Sequence, residues 1–158
     1  MNSQLATRDH KDLAAIDALL GKSSAGDASI AAVMRYLHEH RDDYHWVGVY
    51  KLAGSELVLG PYVGPETDHA RIPIGRGVCG TAVAENKNQI VRDVRELTNY
   101  LACNLETRSE IVVLIREKAS QRILGQIDVD GTKVGQFGKE EEAFLAAVAE
   151  RLERHLLV

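Results

Sequence analysis

Three glycines and a cysteine fall within six residues, Gly75-Arg-Gly-Val-Cys-Gly80, between a strand-like Arg71-Ile-Pro-Ile74 and a helix-like Gly80-Thr-Ala-Val-Ala84. Glycine tolerates left-handed backbone and has no Cβ, so this stretch predicts a tight turn into a helix whose small residues let it press against a sheet. The letters also match GxGxxG, the pattern of a dinucleotide loop. That pattern acts only inside a strand–turn–helix unit, with an acidic residue closing a second strand. Ile72-Pro-Ile74 makes a poor buried parallel strand and the acidic residue is missing, so the glycines read as structural.

The segments on either side alternate between two periods. From Asp9 to Leu20, Leu13, Ile16, Leu19 and Leu20 share a helix side; Asp27 can cap a second helix with a stripe of Ile30, Val33, Met34 and Leu37. From His45 the period becomes two, which puts Trp46, Gly48, Tyr50 and Leu52 on one strand face and Val47, Val49 and Lys51 on the other. Glu56 to Val63 reads as the returning strand, with Pro61 marking an edge or the strand's end. Short strands follow over Gln89–Val94, Ser109–Glu117 and Arg122–Asp130. Gly138 starts a last helix, striped by Phe144, Leu145, Val148, Leu152 and Leu156.

At 158 residues with 45% hydrophobic and 27% charged side chains, the chain can bury a real core without staples. A formal net charge of -4 argues against nucleic acid as a partner. The N-terminus lacks the apolar stretch of a signal peptide and no run is long enough to span a bilayer, so the expected location is the cytoplasm and no membrane partner is expected. The two cysteines, Cys79 and Cys103, fit neither a disulfide framework nor a zinc spacing and are expected as thiols.

Several residues carry potential chemistry. His38 and His40 in His38-Glu-His-Arg-Asp-Asp-Tyr-His45 sit two apart on a helix, so a solvated helix end is preferred to a metal site. Cys79, among Val78, Gly80 and Ala82, reads as a packed thiol. Cys103 lies in a long polar segment with Asn99, Asn104, Thr107 and Arg108, where reactive and inert readings stand level. Asp128 and Asp130 share one face of the last strand. If Glu110 lies on the adjacent strand, three carboxyls crowd one pocket, at least one tends to hold a proton, and it can act as a general acid. Trp46 and Tyr50 can wall the same pocket.

Taken together, Trp46-Val-Gly-Val-Tyr50, Leu57-Val-Leu-Gly-Pro61, the stretch from Arg71 to Ala84, Ala102-Cys103, Ser109-Glu-Ile-Val112 and Ile127-Asp-Val-Asp130 resemble the free methionine-R-sulfoxide reductases. The resemblance runs from Trp46 through the last helix. It implies an α+β fold, a single GAF domain over 1–158. The N-terminal helices would occupy 1–43, the sheet and pocket 44–137 and the C-terminal helix 138–158. A central antiparallel sheet would carry the N- and C-terminal helices on one side, with a short helix and loops covering the ligand pocket; such domains often pair as homodimers.

The resemblance further implies thiol-dependent reduction of free L-methionine-(R)-S-oxide, with Cys103 as nucleophile and Glu110, Asp128 and Asp130 as the acidic side of the pocket. Trp46 and Tyr50 would enclose the methyl sulfoxide end. Thioredoxin or a low-molecular-weight thiol would be the reductant, and no cofactor or metal enters. The best-known members carry a further, resolving cysteine in the loop before Arg71, whereas this chain reads Thr67-Asp-His-Ala70 with His69 at that position. Three readings follow: Cys79 resolves, an external thiol does, or the domain is a non-catalytic GAF sensor binding a small molecule. A reversible Cys79–Cys103 pair would need Cα atoms within roughly 7 Å.

Overall fold

Residues that alternate along a strand can bury both faces only if the sheet is covered on each side, and the chain meets that demand with two unequal layers. The computed structural model describes residues 5–22, 24–101 and 105–157. Helices α1 (Thr7–Leu20) and α2 (Asp27–His40) precede β1 (Trp46–Ala53), β2 (Glu56–Val63) and β3 (Arg71–Pro73). Then come α3 (Gly77–Glu85), β4 (Gln89–Val91), a single 3-10 turn (Val94–Glu96), β5 (Ser109–Arg116), β6 (Ile123–Gly131) and α4 (Lys139–Leu156). The six strands form one antiparallel sheet in the order β3-β2-β1-β6-β5-β4.

The alternation decides which layer each side chain joins. Val47, Val49, Ile111, Val113, Ile115, Ile127 and Val129 pack with the stripes of α1, α2 and α4. Trp46, Tyr50, Leu57, Val112 and Leu114 turn to the other face and pack with Val78, Cys79 and Ala82 of α3. At about 1.5–3 kcal/mol for each fully buried aliphatic or aromatic side chain, slipping one strand by one residue would forfeit several such contributions at once. The expected α+β layering, with terminal helices on one side and the short helix on the other, is therefore what forms.

The strand-like segment before the glycines pairs fully, and one expected strand is shorter than its letters suggest. Arg71–Pro73 is a strand, paired with Glu56–Val58 at the outer edge of the sheet, where Pro73 needs no ladder donor. Beyond Leu59, whose N–H donates to the Ala70 carbonyl, that contact ends, so Pro61 sits where β2 has become the outermost strand. The strand from Gln89 stops at Val91. Asp93 caps the following turn through Arg95 N–H and is itself held by the Arg108 guanidinium at 3.0 Å, which bends the chain out of the sheet.

The turn into α3 behaves as its glycines require. Gly75 and Gly77 adopt positive φ of 95° and 63°. A Cβ on Gly80 would stand 2.6 Å from the Pro73 carbonyl oxygen, so any other residue there would force α3 off the sheet.

The polar end of α2 is solvated at Glu39, His40, Asp42 and Asp43, as its letters suggest, but Arg41 turns inward. Arg41 is 3% exposed and joins Asp9 and Asp12 of α1 to Glu141 of α4. His38 and His40 are used locally: His38 Nδ1 bonds with the Tyr44 carbonyl, and His40 stacks on Tyr36.

His155, in the last turn of α4, is 1% exposed, and its Nδ1 accepts the Gly26 N–H at the start of α2 (3.2 Å). Burial, and secondarily Arg154, hold its pKa below the usual 6.5. Because the folded pKa is depressed, the linked stability is present above the unfolded value and lost as pH falls through the folded one. Protonating Nδ1 also destroys the acceptor, a bond worth about 1 kcal/mol. The urea midpoint is expected to fall between pH 8 and pH 5, and the fall should shrink in His155→Gln. Equal falls in both proteins would show that His155 does not carry the effect.

Candidate active site

The β1–β6 and β5–β6 registers assemble a chemical surface on the face away from the long helices. Trp46 lies opposite Asp130, and Asp130 opposite Glu110; one step along, Gly48 faces Asp128 and Asp128 faces Val112; then Tyr50 faces Gln126 and Gln126 faces Leu114. Side chains on one strand face repeat every second residue, so Glu110, Asp128 and Asp130 project together from adjacent strands. The carboxyl cluster conditional on strand adjacency is formed.

Aromatic rings wall one side. The Trp46 ring runs across Gly48, where a Cβ would come within 2.6 Å of Cη2, and stacks on Tyr62 (5.2 Å between centroids, 19°) and on Tyr50 (6.3 Å, 26°). A side chain at position 48 would expel the indole. The polar tips of these rings hold the loop between β2 and β3: Trp46 Nε1 donates to the Pro65 carbonyl (3.1 Å), and the Tyr50 hydroxyl donates to the His69 carbonyl (2.9 Å). His69 thus sits over this wall.

The first turn of α3 closes the other side. Cys79 Sγ lies 4.0 Å from Glu110 Oε2, and Gln126 Nε2 donates to the Cys79 carbonyl (3.1 Å). Cys79 is buried, as a packed residue would be, yet it faces the carboxyls directly. Strand parity puts Gln126 on the same face as Asp128 and Asp130 but assigns it no task. The signal available was a glutamine on an otherwise acidic and apolar face, and its task is to tie α3 to the sheet. Cys103 and its neighbours Ala102 and Asn104 lie outside the described residues.

Electrostatics follow from burial. Asp128 and Asp130 are almost wholly buried, and none of their carboxyl oxygens has a hydrogen bond of regular geometry to a described residue. Burial raises the Asp128 pKa, partly offset by Glu110 and Cys79 nearby. Asp130 is pushed well above the usual carboxylate range, first by burial and then by the charge of Asp128. A carboxyl shifted in that direction favours its protonated form, the form that can donate a proton.

Volume alone would point elsewhere. A depression of about 680 Å³ lies between α4 and the end of β5, lined by Asn88, Arg116, Glu142 and Glu153 among others, but none of the three acids reaches it. Beside Cys79 and Glu110 the cavity measures about 10 Å³ and is bounded by Ile72, Arg76, Val78 and Leu101. Converging polar groups, rather than size, make the smaller space the candidate site.

Comparison with known proteins bears on the family and the fold. The GAF domain model matches residues 24–156. The chain is 39% identical over 140 residues to the free methionine-R-sulfoxide reductase of Escherichia coli, covering 89% of this chain and 83% of that protein. Its structure is similar to that of the free methionine-R-sulfoxide reductase of Neisseria meningitidis in complex with its substrate (TM-score 0.87, 32% identity, 94% and 88% of the two chains). It is also similar to the Staphylococcus aureus protein in its substrate complex (TM-score 0.85, 32% identity, 96% and 97% of the two chains).

Proposed function

Because the chain belongs to the free methionine-R-sulfoxide reductases, a family built on the GAF domain, we propose that it reduces free L-methionine-(R)-S-oxide to methionine with Cys103 as nucleophile. The observation that carries this reading is the set of three buried carboxyls, Glu110, Asp128 and Asp130, gathered beneath Trp46 and Tyr50. A free amino acid brings an ammonium group that buried carboxylates can hold. Its methyl sulfoxide end is compact and fits an aromatic wall.

In the proposed reaction the Cys103 thiolate attacks the sulfoxide sulfur while a protonated carboxyl donates to the sulfoxide oxygen. The protonated oxygen then shifts from the methionine sulfur to the cysteine sulfur as the S–O bond and the new S–S bond both break, and methionine leaves with a cysteine sulfenic acid behind. A second thiol then attacks the sulfenic sulfur, expelling water and forming a disulfide, which an external dithiol or two low-molecular-weight thiols reduce. With His69 in place of the loop cysteine, the second thiol is Cys79 or comes from outside. The position of Cys79 against Glu110 supports its candidacy.

The deciding experiment supplies the purified protein with free methionine-R-sulfoxide and, in turn, dithiothreitol, a thioredoxin system and glutathione, and measures methionine. Formation of methionine from the R but not the S epimer is expected. No methionine under any reductant would overturn the reading and leave the pocket as a ligand-binding site of the sensor type.

A further inference from the structure

We propose that Asn99 is a positioning residue for the reaction: its side-chain amide fastens the segment that leads to Cys103 onto the glycine turn that presents Cys79. The inference rests on the proposed function and adds a residue to it. Asn99 Nδ2 donates to the Gly75 carbonyl at 2.9 Å, and the Gly77 N–H donates to Asn99 Oδ1 at 3.4 Å. A carboxamide carries a donor and an acceptor on one planar group, which matches a backbone carbonyl and an N–H two residues apart.

The turn has a physical need for this partner. The first N–H groups of a helix have no acceptor within it. Arg76 stands at the cap of α3 and its side chain makes no capping bond, so the Gly77 N–H takes its acceptor from a loop 22 residues away. That loop runs from Val94 to Arg108 and is closed at its neck. The Val94 N–H donates to the Arg108 carbonyl at 2.7 Å, and the Arg108 guanidinium holds the Asp93 carboxylate at 3.0 Å. A neck fixes where such a loop begins and ends, whereas a point between is fixed by contacts of its own.

Asn99 supplies one such contact and Leu101 the next. Gly77 has a φ of 63°, and a Cβ there would stand 3.1 Å from Leu101 Cγ, so the leucine lies directly against the turn. Leu101 also borders the small cavity together with Gly77, Cys79 and Glu110. Cys103 follows it by two residues, at most about 7 Å of extended chain. The clamp is therefore only a few residues from the proposed nucleophile on one side and from Cys79 on the other. Asn99 is itself exposed, so replacing it removes no core side chain.

The test follows release of the first methionine from pre-reduced full-length protein given free methionine-R-sulfoxide and no reductant, in wild type, Asn99→Ala and Asn99→Asp. Asn99→Ala should lower the rate at saturating sulfoxide by roughly tenfold or more and keep the half-saturating concentration within about twofold, because alignment rather than substrate binding is lost. In Asn99→Asp the ionised carboxylate keeps the Gly77 bond but has no donor for Gly75. Its rate relative to wild type should climb as pH falls from 8 to 5 and the carboxyl regains a proton, a response that lost packing would not give. Alkylation of Cys103 by iodoacetamide, read by peptide mass spectrometry without sulfoxide, should be about threefold or more faster in Asn99→Ala. Equal alkylation in the two proteins would overturn the docking whether or not methionine forms. Faster alkylation with no methionine from wild type would uphold the docking and overturn the proposed reaction. With an active wild type, an unchanged first-turnover rate in Asn99→Ala, or an Asn99→Asp ratio that stays flat with pH, would overturn the positioning role.

Discussion

Cys103→Ser is expected to lower the rate of methionine formation on the order of 10³-fold or more, because removing a nucleophile eliminates the covalent route rather than weakening one contact. Steady-state loss alone does not distinguish nucleophile from resolver, since both stop turnover. A single-turnover measurement does. Pre-reduced protein mixed with excess free methionine-R-sulfoxide and no reductant should release one methionine per chain in the wild type and none in Cys103→Ser. Cys79→Ser should still release its one equivalent, because the first oxygen transfer precedes any resolution. If Cys79 resolves, that variant then stalls with thioredoxin as reductant. Unchanged turnover in Cys79→Ser would remove Cys79 from the cycle and assign resolution to an external thiol. Methionine release by Cys103→Ser at the wild-type rate would refute the assignment of the nucleophile.

The largest effect on stability is expected from Arg41→Ala, a loss of about 3–5 kcal/mol, the range seen when one partner of a buried ion pair is removed. The guanidinium reaches Asp9 and Asp12 at 2.8 Å and Glu141 at 3.3 Å, and lies over the Phe144 ring at 3.7 Å. The acids are in turn shared: the Tyr36 hydroxyl donates to Asp12 at 2.8 Å, and the Tyr44 hydroxyl donates to Glu141. Tyr36 is accordingly pushed up to about 12 by burial and then by Asp12. Alanine would leave the carboxylates of α1 and α4 without their buried cation and open space beside Phe144, so desolvation and cavity costs act together. Guanidinium unfolding of wild type and variant measures the difference. A loss below about 1 kcal/mol would show that these charges find other partners, contrary to the geometry.

Much of this architecture can be read before folding, because periodicity is local. The alternation around Trp46 and Tyr50 separates helix-facing from pocket-facing side chains, and the structure keeps every one of those assignments. The stripe of Ile30, Val33, Met34 and Leu37 is wholly buried. Glycine spacing announced the turn into α3. Three residues of Arg71–Pro73 are too few to show alternation, so the segment reads only as strand-like and its pairing with β2 is not legible. Arg41 escaped notice for a different reason: its neighbours Glu39, Asp42 and Asp43 are polar, and only the approach of Asp9, Asp12 and Glu141 makes its burial tolerable.

The sequence by itself determined the faces of each strand and helix, the family motifs, and the presence of Glu110, Asp128 and Asp130 on strands, since each depends on spacing along one segment. Only the tertiary structure decided that Glu110 pairs across from Asp130, that Cys79 meets Glu110, that Gln126 anchors α3, and that the Trp46 and Tyr50 tips hold the loop carrying His69. Strand parity says which way a side chain points but not which strand lies beside it. That choice is made by register and closure over long separations, where one-residue slips exchange core for surface.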